Sequence, residues 1–412
     1  MTNHSLTQKL EILSDAAKYD ASCASSGTTK RNSSDGKGLG STEGHGICHA
    51  YAPDGRCISL LKILMTNFCI YDCVFCVNRA SSNVRRARFS VEEVVGLTLE
   101  FYRRNYIEGL FLSSGIIKSS DKTMEDMVRI VRELRTTHNF RGYIHLKTIP
   151  NASEALIAEA GLYADRLSIN IELPDDISLQ KLAPEKDVLA IKRAMAGIRA
   201  TIDEAREPTM VTKREKVFAP AGQSTQMIVG ADQSNDATVL MRSASLYSSY
   251  KLKRVYYSAF SPIPDASKIL PLIKPPLMRE HRLYQADWLM RFYGFDVGEI
   301  TAGTDAGMLD LAIDPKLAWA LRNRHEFPLD VQHSPKELLL RVPGFGLKTV
   351  NRLLQARRST LLGYADMRSM GATMSNAKPF VILKDWHPGK LGDALDLRAR
   401  FAPPAEQLQL FQ

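Results

Sequence analysis

The chain has 412 residues, 44% hydrophobic and 24% charged, which excludes a chain too polar to bury a core and leaves room for two domains. Lysine and arginine outnumber aspartate and glutamate by 54 to 45, a net charge of +9, which suits a polyanionic partner but names none without a dedicated motif. No apolar run reaches membrane-spanning length and the first residues lack the basic-then-apolar layout of a signal peptide, so no membrane association and a cytoplasmic location are expected.

In chain order, a short helix is expected over 6–18, followed at 22–46 by a stretch rich in Ser, Gly, Thr and Asn that reads as a loop. Six apolar or β-branched runs then read as strands, at 59–65, 109–113, 142–147, 166–172, 225–229 and 254–260. Helix-period stretches separate them, among them 90–104, opened by the capping pattern Ser90-x-x-Glu93, and 122–137. Six strand and helix units in sequence imply a parallel sheet with right-handed crossovers. No Gly-x-Gly-x-x-Gly turn follows the first strand, so the expected fold is α/β, a partial (β/α)6 TIM-like barrel in place of a doubly wound sheet, with its chemistry at the strand carboxyl ends. A proline-rich passage at 261–276 marks a boundary, and helices are expected beyond it at 277–293 and 315–324, the latter capped by Asp314 with Pro315 at its first position. The expected domains are an N-terminal helix with a flexible segment at 1–46, the barrel at 47–275, a helical domain at 276–384 and a tail at 385–412.

Six cysteines in a long intracellular chain point to metal chemistry before disulfides. Three of them, Cys69, Cys73 and Cys76, fall within eight residues at the end of the first of those strands. A closed zinc site or a fully ligated cluster takes four protein ligands, so three thiolates favour a four-iron cluster with one iron open to something it binds. Offsets of four and seven would also put three packed thiols on one helical face, which is the competing reading.

The Cys-x3-Cys-x2-Cys run, with the aromatic Phe75 before its third cysteine, resembles the signature of the radical SAM superfamily. The resemblance implies a 4Fe-4S cluster on Cys69, Cys73 and Cys76, S-adenosylmethionine on the open iron, and an electron donor. It further implies reductive cleavage of the sulfonium to methionine and a 5′-deoxyadenosyl radical that removes a hydrogen atom from an unreactive carbon. Ser113, Ser114 and Gly115 resemble the superfamily's Gly-Gly-Glu segment, which meets the methionine amino group, though the glutamate is absent here. Ser168, Asn170 and Glu172 alternate along the expected fourth strand, facing one side by the period of two, and are candidates for ribose hydroxyls or the amino group. Ile228 and Gly230 keep their places in a run resembling the adenine-supporting Gly-x-Ile-x-Gly-x-x-Glu motif, with Gln226 and Gln233 at its ends. Ordinary strand-end hydrogen bonding competes for all of these, and no catalytic residue acting on the substrate is identified. Cys23, Cys48 and Cys57, with His45 and His49 nearby, are candidates for a second iron-sulfur or metal site, against packed or loop thiols.

Further on, Pro343-Gly344-Phe345-Gly346-Leu347-Lys348 resembles the turn of a helix-hairpin-helix motif. Its glycines permit tight backbone conformations and the amides opening the second helix suit a phosphate. Lys348 and Arg352, with Arg357 and Arg358 beyond, add charge, so Gly344, Phe345, Gly346, Lys348 and Arg352 are the candidate DNA contacts. An ordinary helical hairpin competes. The final Gln407-Leu408-Gln409-Leu410-Phe411 resembles the peptide by which bacterial repair proteins dock on the sliding clamp, against a C-terminal packing strand.

With both halves together, the chain resembles a family of DNA modification or repair radical SAM proteins linked by genome context to uracil-DNA-glycosylase-like proteins. The implied function is radical chemistry on DNA, with DNA, a glycosylase-like protein, a sliding clamp and an electron donor as partners. The rivals are an RNA-modifying radical enzyme and a non-catalytic redox-sensing iron-sulfur DNA-binding protein. Arg85, Arg86 and Arg88 are candidates to line the nucleic-acid approach, with solvated surface arginines as the competing reading.

Overall fold

Local sequence signals set the element starts. Ser90 Oγ accepts from the Glu93 amide at 3.1 Å and Glu93 returns the bond to the Ser90 amide at 2.8 Å, the reciprocal pair expected of that capping pattern. A second box, Ser5 with Gln8, opens the first helix. The computed structural model describes residues 4–18, 47–51, 57–206, 218–263, 269–391, 394 and 396–402. It divides into two compact units, 1–234 with 245–275, and 235–244 with 276–412.

In the first unit, α1 (Leu6–Ala17) precedes a hairpin of β1 (Ile47–Tyr51) and β2 (Cys57–Leu64). Then come α2 (Val91–Arg103), β3 (Gly109–Ser113), α3 (Ser120–Thr136), β4 (Tyr143–Lys147), α4 (Glu154–Tyr163), β5 (Arg166–Ser168), α5 (Asp176–Leu182), α6 (Val188–Arg206), β6 (Gln223–Val229), α7 (Asp236–Tyr250) and β7 (Arg254–Ala259). The seven strands pair in chain order, β1 antiparallel to β2 and all others parallel. The sheet stays open, with β1 and β7 as its edges, a curled half-barrel of the expected partial TIM type.

Burial explains why these runs are strands. Every residue of β3 is buried, as a parallel strand covered on both faces requires. Helix α3 buries Met124, Met127, Val128, Val131 and Leu134 at spacings of three and four, and each such side chain contributes about 1.5–3 kcal/mol by leaving water.

Two elements depart from the sequence reading. Strand β1 was not expected, because Ile-Cys-His-Ala-Tyr is too short and mixed to show a period. The expected strand at 166–172 ends at Ser168, because the Thr225 hydroxyl enters the ladder, donating to the Ile169 carbonyl at 2.6 Å and accepting from the Ile171 amide at 3.0 Å. The chain then turns, and Glu172, at φ +64°, rejoins through a lone bridge to Met227.

The second unit holds the start of α7, then α8 (Leu277–Phe292), α9 (Val297–Thr301), α10 (Pro315–Arg322), β8 (Leu329–Asp330), α11 (Lys336–Leu339), α12 (Leu347–Ala356) and β9 (Val381–Ile382), which pairs parallel with β8. Asp314 caps α10 by accepting from the Lys316 and Leu317 amides at 3.1 and 3.0 Å. Buried Asp236 accepts from Arg279 at 2.7 Å and from the Leu309 amide at 2.9 Å, tying α7 and α8 to the loop before α10.

Candidate active site

The loop from β2 to α2 is built to hold its shape without regular structure. Asn67 accepts from the Ala87 amide at 2.8 Å and donates to the Arg85 carbonyl at 2.7 Å. Arg86 sends its guanidinium inward to four backbone carbonyls: Asn67, Asn78 at 2.9 Å, Arg79 at 2.6 Å and Ser82 at 2.9 Å. Arg86 is therefore neither a nucleic-acid contact nor a solvated arginine; it is the clamp of the cysteine loop, and burial pulls its pKa down. Arg88 pairs with Asp126 at 3.0 Å, while Arg85 is exposed.

Within this frame Cys69, Cys73 and Cys76 line one open cavity of about 170 Å3 at the carboxyl ends of the strands. Backbone amides already aim at two of the sulfurs, Ile116 N–H at Cys69 Sγ (3.5 Å) and Asn78 N–H at Cys76 Sγ (3.4 Å). Burial pushes the Cys73 thiol up to about 12, against the opposing charge of Lys186, and burial likewise pushes Cys76 up to about 11, against the Asn78 amide. Loading a metal therefore has to displace protons. Three thiols and amides directed at sulfur in an open cavity fit a cluster with one open iron.

The sequence-derived residues separate into two groups. Phe75, Ser114, Gly115, Asn170, Glu172 and Ile228 line the same cavity as the cysteines. Ser113, Ser168 and Gly230 do not. Ser168, set with Asn170 and Glu172 on one expected strand, instead meets His145 Nε2 at 3.0 Å, since the strand ends there. Gly115 is pressed against the start of the cysteine loop: a Cβ on it would lie 2.2 Å from the Phe68 carbonyl oxygen.

Sequence reasoning missed Lys186, whose ammonium meets Glu172 Oε1 at 2.5 Å inside the cavity, and the amide pair in which Asn170 donates to Glu172 at 3.4 Å and to Gln226 at 3.3 Å. Lys147, Thr148 and Ser258 also line the cavity; position at the carboxyl end of a strand was the only signal they carried.

The candidates for a second metal site fall largely outside the described residues. Cys23 lies outside them, and Cys57 pairs with Tyr51, three rungs from Cys48, about 10 Å along the ladder. Among the described residues no three His, Cys, Asp or Glu, Cys69, Cys73 and Cys76 included, converge on a single ion, whereas a four-iron cluster spreads its thiolates over separate irons.

Residues 63–211 match the family model described as Radical SAM superfamily. That is a little over a third of the chain. Enzymes of that superfamily use a 4Fe-4S cluster and S-adenosylmethionine, and the matched stretch spans all three cysteines together with Ser114, Gly115, Asn170, Glu172 and Lys186. Among solved structures, the chain is similar to HydG, a maturase of the FeFe-hydrogenase, at 12% identity and TM-score 0.41, covering 55% of this chain and 48% of that one. It is similar to HydG from Carboxydothermus hydrogenoformans at 14% and 0.42, covering 55% and 50%, and to methylornithine synthase (PylB) at 15% and 0.43, covering 56% and 61%. The chain thus spans about half to three-fifths of the structures it matches. No curated protein matches it.

In the second unit, α11 and α12 flank the glycine turn. Gly344 adopts φ +82°, and a Cβ there would sit 2.4 Å from the Thr373 carbonyl oxygen. Gly346 caps α12 with no side-chain bond, Phe345 is buried, and Lys348 and Arg352 are exposed. Three details depart from a bare phosphate clamp, the first being that Arg352 donates to the Met370 carbonyl at 3.1 Å. The Leu347 amide donates to the Tyr293 hydroxyl at 3.3 Å, and Arg357 is spent on the Val331 and Ser334 carbonyls at 3.2 and 2.7 Å. The clamp-like peptide with Gln407, Leu408, Leu410 and Phe411 lies outside the described residues. Among the described residues no helix is long and apolar enough to cross a membrane.

Proposed function

We propose that this chain is a radical SAM enzyme that modifies or repairs DNA. The observation that carries the reading is the cavity wall with three cysteine thiols at the strand ends, on a polypeptide that also holds a glycine turn with exposed Lys348 and Arg352. A cluster held there would supply the one electron needed for reductive cleavage of S-adenosylmethionine. Cys69, Cys73 and Cys76 hold the cluster; Asn170, Glu172 and Gln226 offer carboxylate and amide groups to the polar part of the cofactor; Ile228 gives an apolar support for a base.

In the second unit, the amide end of α12 with Lys348 and Arg352 grips phosphates without reading sequence. A carbon inside a duplex is out of reach, so the target is a frayed, damaged or flipped base. A uracil-DNA-glycosylase-like protein, a sliding clamp met by the C-terminal peptide, an electron-donor protein and a cytoplasmic setting belong to the same proposal.

The test is mass spectrometry of nucleosides after anaerobic turnover with duplex DNA and, in parallel, transfer RNA. A new DNA nucleoside that requires S-adenosylmethionine supports the reading. A product in RNA alone replaces it with the RNA-modifying alternative, and no cofactor cleavage at all replaces it with the redox sensor.

A further inference from the structure

The segment joining α5 to α6 is stitched onto the cysteine loop, although the two lie more than a hundred residues apart. The Val74 amide donates to the Leu182 carbonyl at 2.8 Å, and the Asp72 amide donates to the Glu185 carboxylate at 3.0 Å. The Asn151 side-chain amide spans both segments, reaching the Tyr71 hydroxyl at 3.2 Å and the Glu185 carbonyl at 3.5 Å. Between these anchors a turn, closed by the Lys186 amide on the Ala183 carbonyl at 3.0 Å, directs Lys186 into the cavity. Its ammonium and the Glu172 carboxylate are only 10% and 8% exposed.

Burial alone would strip the proton from this ammonium, but the Glu172 carboxylate at 2.5 Å holds it charged. Lys186 and Glu172 share one cavity wall with Cys69, Cys73 and Cys76, so the pair stands beside the thiols. A buried ion pair adds little to stability over a well-packed apolar pair. The stitching therefore positions a charge more than it strengthens the fold.

We propose that Lys186, held by Glu172, is the fixed counter-charge that sets the reduction potential of the cluster on Cys69, Cys73 and Cys76. This rests on the cluster reading above. Reduction adds one electron, taken from a low-potential donor protein that is oxidised by one electron, and Lys186 keeps its proton throughout. A cation fixed in poorly polarisable surroundings stabilises the more negative, reduced state and raises the potential. Lys186 is thus a positioning residue for electron entry.

The experiment is a redox titration, followed by electron paramagnetic resonance, of the anaerobically reconstituted full chain without S-adenosylmethionine. In the double variant Lys186→Met with Glu172→Gln, which removes both charges at similar size, the midpoint is expected to fall by at least a tenfold change in the one-electron equilibrium, about 59 mV. Glu172→Gln alone leaves the cation unbalanced and raises the midpoint, and Lys186→Arg keeps the parent value. A double variant with parent iron content and an unchanged midpoint overturns this proposal and leaves the cluster reading standing. A double variant that takes up no iron overturns it too, by making the pair part of the scaffold. A parent chain with no reducible four-iron cluster overturns both.

Discussion

Replacing Arg86 with alanine should open the cysteine loop. The guanidinium makes four bonds to the carbonyls of Asn67, Asn78, Arg79 and Ser82, and a hydrogen bond from a charged donor contributes about 1.5–3 kcal/mol net. The four do not add fully, because the side chain is only half-buried and water replaces part of what is lost. A net cost of about 3 kcal/mol follows, which shifts a local opening equilibrium roughly a hundredfold. Amide exchange at Ala80 and Ala87, which donate to Tyr71 and Asn67, reads that opening directly and avoids a global unfolding curve, which two units and a metal site would make ill-defined. Arg86→Lys keeps the charge but not the fork, so its effect should be about half as large in free energy. Iron uptake by Arg86→Ala should fall in parallel. Unchanged exchange at Ala80 and Ala87 in Arg86→Ala would refute the clamp.

With burial pushing the Cys73 thiol up to about 12 from an ordinary 9.0, its alkylation by iodoacetamide at pH 8 in the metal-free chain should be about a thousandfold slower than in unfolded chain, read by mass spectrometry of the Cys73 peptide; equal rates would contradict the buried thiol. Burial lowers Lys316 to about 7 from 10.5, where its amine donates to the Phe345 carbonyl at 2.6 Å. The unfolded chain then binds more protons between pH 7 and 10.5, so this residue makes the second unit more stable as pH rises through that window and least stable below pH 7. Thermal unfolding at pH 6 and pH 9.5 should show Lys316→Met losing ground to the parent at the higher pH; a difference independent of pH would argue against it. If α12 meets phosphates, Lys348→Ala with Arg352→Ala should weaken binding to any duplex and reduce the salt slope by about 2, measured by fluorescence anisotropy across a salt series; an unchanged slope would remove those side chains from the interface.

Much of the frame was legible because short-range chemistry writes it. Ser90 with Glu93, and Asp314 with Pro315, mark helix starts whatever surrounds them, and five-residue runs such as Gly109–Ser113 can only be buried strands. The end of β5 was not legible. It is set by the hydroxyl of Thr225, which interrupts the ladder from the next strand, and so Ser168 parts company with Asn170 and Glu172. The cysteine motif was plain from spacing, whereas its support was not. Arg86 looks in sequence like any member of a basic run, and only the folded loop supplies the carbonyls that define its role. Lys186 reaches the site through contacts between segments 113 residues apart, a relation that no local pattern encodes.

The most direct test of the central claim is the yield of 5′-deoxyadenosine when the anaerobically reconstituted chain is reduced in the presence of S-adenosylmethionine. The account predicts stoichiometric or greater formation by the parent and none by Cys73→Ala. Parent protein that carries zinc at these cysteines, or that is fully loaded with iron and sulfide yet leaves the sulfonium intact with and without DNA, would contradict it.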